Sequence, residues 1–481
     1  MLQGQKSGGT ALDELSSAAK IEDHDNLPQW FVDAQNEARK EFANEPYPSR
    51  KDELWRFSSV KNLDGVAAFS RPANSGAAWL LSSDVSDEAL AKSEASAKGE
   101  ARPIASVAKP ALERGFPEPS GRMVFVNDQL VSCELRDDSL SDRGVLFLPL
   151  EQALKLRPDL SQEHFMAQPA RLGSKKFAAL HKASVSAGTV LYLPPGLAVD
   201  APFEVFHIVT GENLALFPHT LIIADRESEV TFLDHFVSLD SSTAERQTPN
   251  AERQTGRGFA CGVNDLVLRP GSKLNYISLQ NWSRQFVSLQ VNSTVAEERS
   301  SALNLSLNFG GRYSRLESVS RLAGAGSRSD MLAVSIGGAD QEFDQRTLQD
   351  HLQPDTTSDL LYKNALSSNA RTVFSGLIKV ERGAHRTDAY QKVRNLLLSD
   401  EAEANSMPGL EILADDVRCT HGATSGQVEP EELFYLQSRG IPELKAKGLV
   451  VNGFLNEVVD RLSNEQIKAY LHEQIARRLR D

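Results

Sequence analysis

A thiol and an imidazole stand two residues apart near the C-terminal end of the chain, at Cys419 and His421. If this stretch is extended, residues i and i+2 project from the same face, so the two side chains address one point in space. Both are ligands for soft and borderline metal ions, but two ligands do not complete a tetrahedral site. A metal function therefore requires further residues or a second protein. The alternative is a half-buried strand with an apolar cysteine and a hydrogen-bonded histidine.

The other cysteines and histidines show no such spacing. Cys133 and Cys261 are far from each other and from Cys419, which is unlike a disulfide framework and favours a reducing compartment. We expect both to be inert, and we expect the other nine of the ten histidines to be structural or solvated. The sequence contains no Gly-x-x-x-x-Gly-Lys-Ser/Thr loop, so we expect no nucleotide to bind to this chain.

Composition narrows the classes of partner. The 481 residues carry a net charge of -13, which argues against nucleic acid and anionic membranes as partners. The first thirty or so residues contain no apolar export segment, and no run of about 18 apolar residues could cross a bilayer. We therefore expect a cytoplasmic protein.

Short strands with period-two alternation recur through the second half of the chain. Leu303, Leu305 and Leu307 alternate with polar residues, and similar units return about every 26 to 31 residues. Such a period predicts stacked coils of one solenoid, and we expect Leu305 and Val334 to lie in inward-facing apolar stacks. A polar duplication at 244–248 and 251–255 predicts a surface loop.

Helical patterns flank this core. Apolar residues at helical spacing begin at Leu27, whereas alanine, serine, glutamate and proline dominate the stretch before residue 122. We divide the chain into a disordered N-terminal tail (1–26), an N-terminal helical module (27–70), an Ala/Ser-rich linker (71–121), a mixed α/β entry segment (122–185), a parallel β-helix core (186–428) and a C-terminal helical domain (429–481).

The predicted C-terminal helices have large apolar faces that must be covered by other parts of the protein or by a partner. One helix starts after Pro430 with two glutamates in its first turn, and Gly440 is placed to end it. Two apolar stripes follow, one from Val450 to Leu462 and one from Ile467 to Ile475. They either pack on each other and on the end of the rod or form a partner-binding surface.

Several motifs resemble one family. They are TDAYQ (387–391), RNLLLSD (394–400), ADDVRCTHGAT (414–424), ELFYL (432–436) and SRGI (438–441). They resemble the SufB/SufD family of the SUF iron–sulfur cluster assembly scaffold. The N-terminal part of the chain resembles the same family more weakly. The resemblance implies a mainly β fold, a right-handed parallel β-helix between N-terminal and C-terminal helical domains.

The resemblance also implies partners and a cargo. It implies pairing with a SufB-like protein through the β-helix, with a transient iron–sulfur cluster or iron shared at the junction. His421, supported by Cys419, is then the candidate ligand on this side. The C-terminal helices are implied to dock a SufC-like ATPase, and the candidate contact residues are Glu432, Leu433, Phe434, Leu436 and Ile441.

The family has two branches that differ at two places. SufB-like chains carry a cysteine in the region aligned with 394–400 and a glutamate directly after the histidine. This chain has no cysteine there, and Gly422 follows His421. Both departures favour the SufD-like branch.

We therefore expect a non-catalytic scaffold subunit, able to form a homodimer in isolation. The alternatives are a SufB-like cluster-carrying paralogue, a metal-free structural β-helix adaptor, and a polysaccharide lyase or esterase. The last acts outside cells as a rule, and the sequence shows neither a secretion signal nor an acidic metal cluster.

Overall fold

The computed structural model describes residues 27–63, 66, 69, 104–239 and 257–480. The predicted N-terminal tail, most of the predicted linker and the duplicated polar segment lie outside these residues. The helices are α1 Gln29–Asn44, α2 Ile104–Leu112, α3 Asp138–Asp142, α4 Leu150–Leu156, α5 Pro158–His164, α6 Lys175–Ser184, α7 Pro430–Ser438, α8 Glu443–Val459 and α9 Glu465–Arg480, with 3-10 turns at Glu53–Trp55 and Val60–Leu63.

The strands follow in chain order. They are β1 Gly121–Val126, β2 Gln129–Leu135, β3 Leu146–Pro149, β4 Gly188–Leu193, β5 Phe203–Thr210, β6 Leu214–Leu216, β7 His219–Ala224, β8 Glu229–Leu239, β9 Gly258–Leu268, β10 Lys273–Asn281, β11 Phe286–Ala296, β12 Ser301–Asn308, β13 Tyr313–Leu322, β14 Arg328–Gly337, β15 Glu342–His351, β16 Thr357–Leu366, β17 Arg371–Val380, β18 Asp388–Leu397, β19 Glu403–Ile412 and β20 Arg418–Gly426.

Successive strands alternate between two sheets, and this alternation coils the chain. The first sheet has the order β2-β1-β5-β8-β10-β12-β14-β16-β18-β20, and the second has β19-β17-β15-β13-β11-β9-β7-β4-β3. All pairs are parallel except β1 with β2 and β3 with β4 at the first end. Parallel strands joined by short turns in two facing sheets form a parallel β-helix, and the expected fold class is confirmed.

The interior of the coil is partly polar. Asn364 donates to Asn395 on the next coil at 2.8 Å, and Ser278 donates to Ser306 at 3.0 Å. Between such rungs, Tyr362 meets Phe374 of the facing sheet edge to face. In these rungs a buried amide or hydroxyl bonds to its counterpart one coil along, so the stack satisfies polar groups that water does not reach.

The prediction that Leu305 and Val334 point into the coil is wrong. Both side chains are buried, but they pack with Val451, Leu455 and Leu471 of the C-terminal helices. They therefore lie on the outer face of the first sheet. A strand covered on both faces carries buried residues at odd and even positions alike, so alternation alone could not say which set points inward.

The C-terminal helices α8 and α9 are thus covered by their own chain. Lys363, on the outer face of β16, is bonded to Glu457 and donates to the carbonyl of Phe454 at 2.6 Å, which fastens α8 to the sheet. Of the two alternatives left open by the sequence, packing within the molecule is observed. The apolar stripes pack on each other and on the side of the β-helix, however, and not on its end. No helix in the described ranges combines the length and apolar character that a membrane-spanning segment needs.

The segment predicted as a linker is packed where it is described. Helix α2 lies against β5 and β8, and its Ala108 and Ala111 are buried beside Val124 and Phe206. Small side chains let a helix approach a sheet closely, so an alanine-rich composition is compatible with a packed helix.

Candidate functional site at the open end of the β-helix

The last coil, formed by β19 and β20, has no coil above it among the described residues. Each strand ends its sheet, so one edge of each has no strand partner in the described chain. Side chains that would be covered elsewhere are exposed here, including Leu410 and Ile412 of β19 at 38% and 41%. We call β19 and β20 the terminal coil.

His421 occupies the end of an interior column. The parallel register pairs Leu360 with Gln391, and Gln391 with His421. Leu360 and Gln391 are both fully buried, whereas His421 on the same face is exposed because no further coil covers it. The imidazole is therefore an inward-facing group of the stack that another molecule can reach.

Cys419 lies on the same face of β20, as an extended strand requires, but its surroundings differ. It packs at the edge of a small apolar cluster that contains Ile378, Val380 and Ala389. Burial, with the nearby carboxylate of Asp388, raises the pKa of this thiol. The protonated form is therefore favoured, and a neutral thiol is a weaker metal ligand than a thiolate.

Gln391 lies directly below His421, on the neighbouring strand β18. The sequence did not indicate it as a site residue. Its Nε2 donates to the carbonyl of Gly376 at 3.4 Å, and its Oε1 has no partner within the described part of the chain. A Cβ at position 376 would lie 2.8 Å from that oxygen, so the amide of Gln391 would have to shift if residue 376 were not glycine. The only signal that could find this residue is the register of β18 on β20, which a single sequence does not supply.

No group of three or more His, Cys, Asp or Glu side chains in the described ranges is arranged to hold a metal ion. The terminal coil accordingly contributes at most part of a coordination shell. Burial raises the pKa of Cys133 to about 12 and that of Cys261 further still. Neither thiol is a thiolate at neutral pH.

The candidate partner residues lie on and just after α7. This helix has no buried residue, and Phe434 and Tyr435 are 72% and 57% exposed. Leu433, Leu436 and Ile441 are half-buried and Glu432 is exposed. Gly440 adopts a positive φ of 81°, and the amide of the following residue returns to the helix, which ends α7 as the sequence predicts.

Fold and site together define a β-helical protein whose last described coil exposes an imidazole and two sheet edges. Residues 207–454 match the SufBD core domain of SUF system FeS cluster assembly. Iron-sulfur cluster assembly protein SufD of Bacillus subtilis (strain 168) is 30% identical over 344 residues, 71% of this chain and 75% of that protein. The chain belongs to the SufB/SufD family of the SUF system.

Two further relatives are similar over a larger share of the chain. Iron-sulfur cluster assembly protein SufB of Bacillus subtilis (strain 168) is 26% identical over 445 residues, 91% of this chain and 87% of that protein. An iron-sulfur cluster assembly SufBD family protein of Staphylococcus aureus (strain USA300) is 24% identical over 447 residues, 93% of this chain and 89% of that protein. The matches cover nearly the whole described fold.

Proposed function

We propose that this chain is a non-catalytic, cytoplasmic scaffold subunit of the SufD type, which pairs with a SufB-like protein and presents His421 to a nascent iron–sulfur cluster. The observation that carries the proposal is the exposed imidazole at the end of a sealed interior column. The cluster is cargo, held in part by the partner, because this side supplies too few ligands for a complete site.

In this proposal His421 is the principal ligand and Cys419 supports it. A neutral imidazole binds iron well, whereas the raised pKa of Cys419 keeps its thiol protonated until a metal displaces the proton. The amide oxygen of Gln391 lies one coil below the imidazole. Part of the shell is thus held on strands rather than loops, which fixes its geometry.

Pairing would use the terminal coil itself. The free edges of β19 and β20 carry unpaired backbone donors and acceptors that a partner strand can extend. Leu410, Ile412 and Leu413, between 38% and 46% exposed, add apolar surface at this end. The same surface would let two copies of this chain pair when the SufB-like partner is absent.

The first experiment replaces His421 with alanine in the reconstituted complex. We expect cluster formation to be abolished while the thermal unfolding temperature is unchanged, since the imidazole is exposed. His385, an exposed histidine whose Nδ1 lies 3.0 Å from a backbone carbonyl oxygen, is the control, and its alanine variant should assemble clusters normally. Normal cluster yield in the His421→Ala complex would refute the ligand role and favour a metal-free adaptor.

A SufB-like paralogue is the second candidate, because the SufB relative matches 91% of the chain. The two candidates differ in whether the isolated chain holds a cluster. Anaerobic titration with iron and sulfide should produce no stable cluster absorbance on a SufD-type chain alone. A cluster that forms on the isolated chain and survives desalting would favour the SufB-like function.

Docking of a SufC-like ATPase is proposed for α7 and the turn after it. Phe434 projects into solvent, and large exposed aromatic side chains are the usual anchors of an interface. Phe434→Asp should abolish capture of the ATPase in a pull-down. Leu156→Asp is the matched control, because Leu156 is 66% exposed on α4, far along the chain from α7. Equal capture by both variants would rule out this surface.

A further inference from the structure

A groove of about 590 Å³ opens at one corner of the β-helix. Its walls are the 3-10 turn Val60–Leu63 and the successive turns that lead from β10, β12, β14 and β16 into the next strands. We call it the arginine groove, because three of its lining residues are Arg284, Arg312 and Arg371. Three guanidinium groups in one groove are notable in a chain whose net charge is -13.

The two carboxylates of the groove already have partners. Glu342 accepts the amide of Ser59 at 2.8 Å, and its other oxygen lies 3.4 Å from Arg371. Asp340 accepts from the side-chain amide of Asn369 at 2.8 Å. The three guanidinium groups outnumber these two carboxylates, and Arg371 also pairs with Glu403 of β19 at 3.3 Å. Neither Arg284 nor Arg312 forms an ion pair among the described residues.

Arg284 and Arg312 both keep donors available. Arg284 is exposed and has no ion-pair or hydrogen-bond partner among the residues described. Arg312 donates only at 3.4 Å to the carbonyl of Asn62, and its Nε has no acceptor in the described chain. Each guanidinium can thus turn N–H groups toward a ligand without breaking a strong bond.

Gln341 holds the walls of the groove together. Its Nε2 donates to the carbonyl of Gly311, next to Arg312, at 2.9 Å, and its Oε1 accepts the amide of Gly338 at 3.0 Å. A Cβ at Gly338 would lie 3.5 Å from Nη2 of Arg284, so the guanidinium rests against this turn. The side chain of Gln341 is buried and joins the turn that carries Arg312 to the turn against which Arg284 rests.

We propose that the arginine groove binds a phosphorylated small molecule, with a phosphate held between Arg284 and Arg312. Guanidinium groups present paired N–H donors that match the oxygens of a phosphate. The volume lies in the range of small-molecule sites and exceeds what a single phosphate fills. The amides of Asn62, Gln285 and Asn369 are neutral groups that can hydrogen-bond the rest of the ligand.

Isothermal titration calorimetry of the full chain with inorganic pyrophosphate, at constant ionic strength, tests the proposal. We expect saturable binding, and a loss of affinity of about tenfold or more in Arg284→Ala, because a charge-assisted bond is removed. Arg284→Lys keeps the charge but not the fork and should bind between the two. Inorganic phosphate, which is smaller and carries less charge, should bind more weakly than pyrophosphate.

Arg299→Ala is the matched control, because this arginine is 74% exposed, pairs with Glu298 at 3.3 Å and lies on a turn that does not line the groove. Its affinity for pyrophosphate should equal that of the unmodified chain. The proposal is overturned if pyrophosphate gives no saturable heat, or if Arg284→Ala and Arg299→Ala bind equally well. Circular dichroism of each variant confirms that the fold is intact, as expected for exposed side chains.

Discussion

The coils that have a neighbouring coil on both sides, which we call the sealed coils, bury chemical groups that the terminal coil exposes to solvent. In the sealed coils, His207 lies 3.3 Å from Asp234, and His235 lies 2.9 Å from Glu204, with all four side chains at most 5% exposed. In the terminal coil, His421 stands on the inner face of its strand and meets solvent. The position of a residue in the stack, rather than its type, therefore separates a structural histidine from an available one.

Two further buried histidines, His181 of α6 and His219 of β7, have a structural role. The carbonyl oxygen of Cys261 can only accept, so His181 Nδ1, at 2.7 Å, carries the proton. His181 Nε2 is then an acceptor for His219 Nδ1, which lies 3.2 Å away. Burial lowers the pKa of His181 to about 4 and that of His219 well below its usual value, which keeps both rings neutral.

The largest effect predicted here follows from a charge on the outer face of a sealed coil. Leu305→Asp places an unpaired carboxylate between β12 and the C-terminal helices, where Leu305 is fully buried. We expect a loss of about 5 kcal/mol in the free energy of unfolding, from lost apolar burial and the buried charge. Hydrogen exchange should show release of 443–480, measured beside urea denaturation.

Leu410→Asp is the control for the terminal coil. The same change there meets solvent, because Leu410 is 38% exposed, and should change the free energy of unfolding by less than about 1 kcal/mol. Equal losses in the two variants would mean that the terminal coil is covered within the isolated chain.

The next effect concerns the ion network that fixes the N-terminal segment to the second sheet. Arg315 lies under the Trp55 ring and contacts Glu317 at 2.7 Å and Asp344 at 2.5 Å, all buried. Burial tends to raise the pKa of Asp344, but Arg315 and Arg346 outweigh it and hold the pKa below its usual value. Asp344→Ala leaves two buried guanidinium groups short of a partner and should cost about 3–5 kcal/mol in urea denaturation.

An exposed ion pair provides the comparison. Asp355 pairs with Arg386 at 2.5 Å on the surface of two turns, where water solvates both groups. Asp355→Ala should shift the urea midpoint far less than Asp344→Ala, because exposed pairs are screened. If Asp344→Ala and Asp355→Ala shift the urea midpoint equally, the buried ion network does not fix the N-terminal segment to the second sheet.

The β-helix could be predicted from the sequence, because a repeat near 30 residues with strand alternation has few other structural explanations. The pairing of Cys419 and His421 on one face follows from strand geometry. The face of Leu305 could not be predicted, because both sides of its strand are buried, one by the coil and one by α8 and α9. Nor could Gln391 be predicted, because its place beneath His421 depends on pairing across 30 residues.

A pH-dependent effect of intermediate size is expected from His351 in the sealed coils. Its ring nitrogens lie 2.7 Å from Thr356 Oγ1 and 2.8 Å from Ser358 Oγ, and burial lowers its pKa from 6.5 to about 4. Between these values the unfolded chain binds a proton that the folded chain refuses, so stability is present above pH 6.5 and is lost as the pH falls toward 4. The shift corresponds to about 3 kcal/mol.

His351→Gln checks this contribution, because glutamine can still hydrogen-bond but does not titrate. Urea denaturation from pH 7.5 to 4.5 should show a shallower fall in stability for His351→Gln than for the unmodified chain. If the two slopes coincide, His351 takes up its proton in the folded state and the sealed coils are more accessible than their burial indicates.

The smallest effect on stability is expected at the terminal coil, where the effect on association should be largest. Ile412, at the end of β19, is 41% exposed, so Ile412→Lys should leave the free energy of unfolding within about 0.5 kcal/mol of the unmodified chain. Lysine on a free edge strand opposes pairing with another strand, because its charge would have to be desolvated at the interface. Analytical ultracentrifugation should therefore show that the variant fails to associate with itself or with the SufB-like partner. Association at unchanged affinity would mean that pairing uses a surface away from the terminal coil, and His421 would then face no partner.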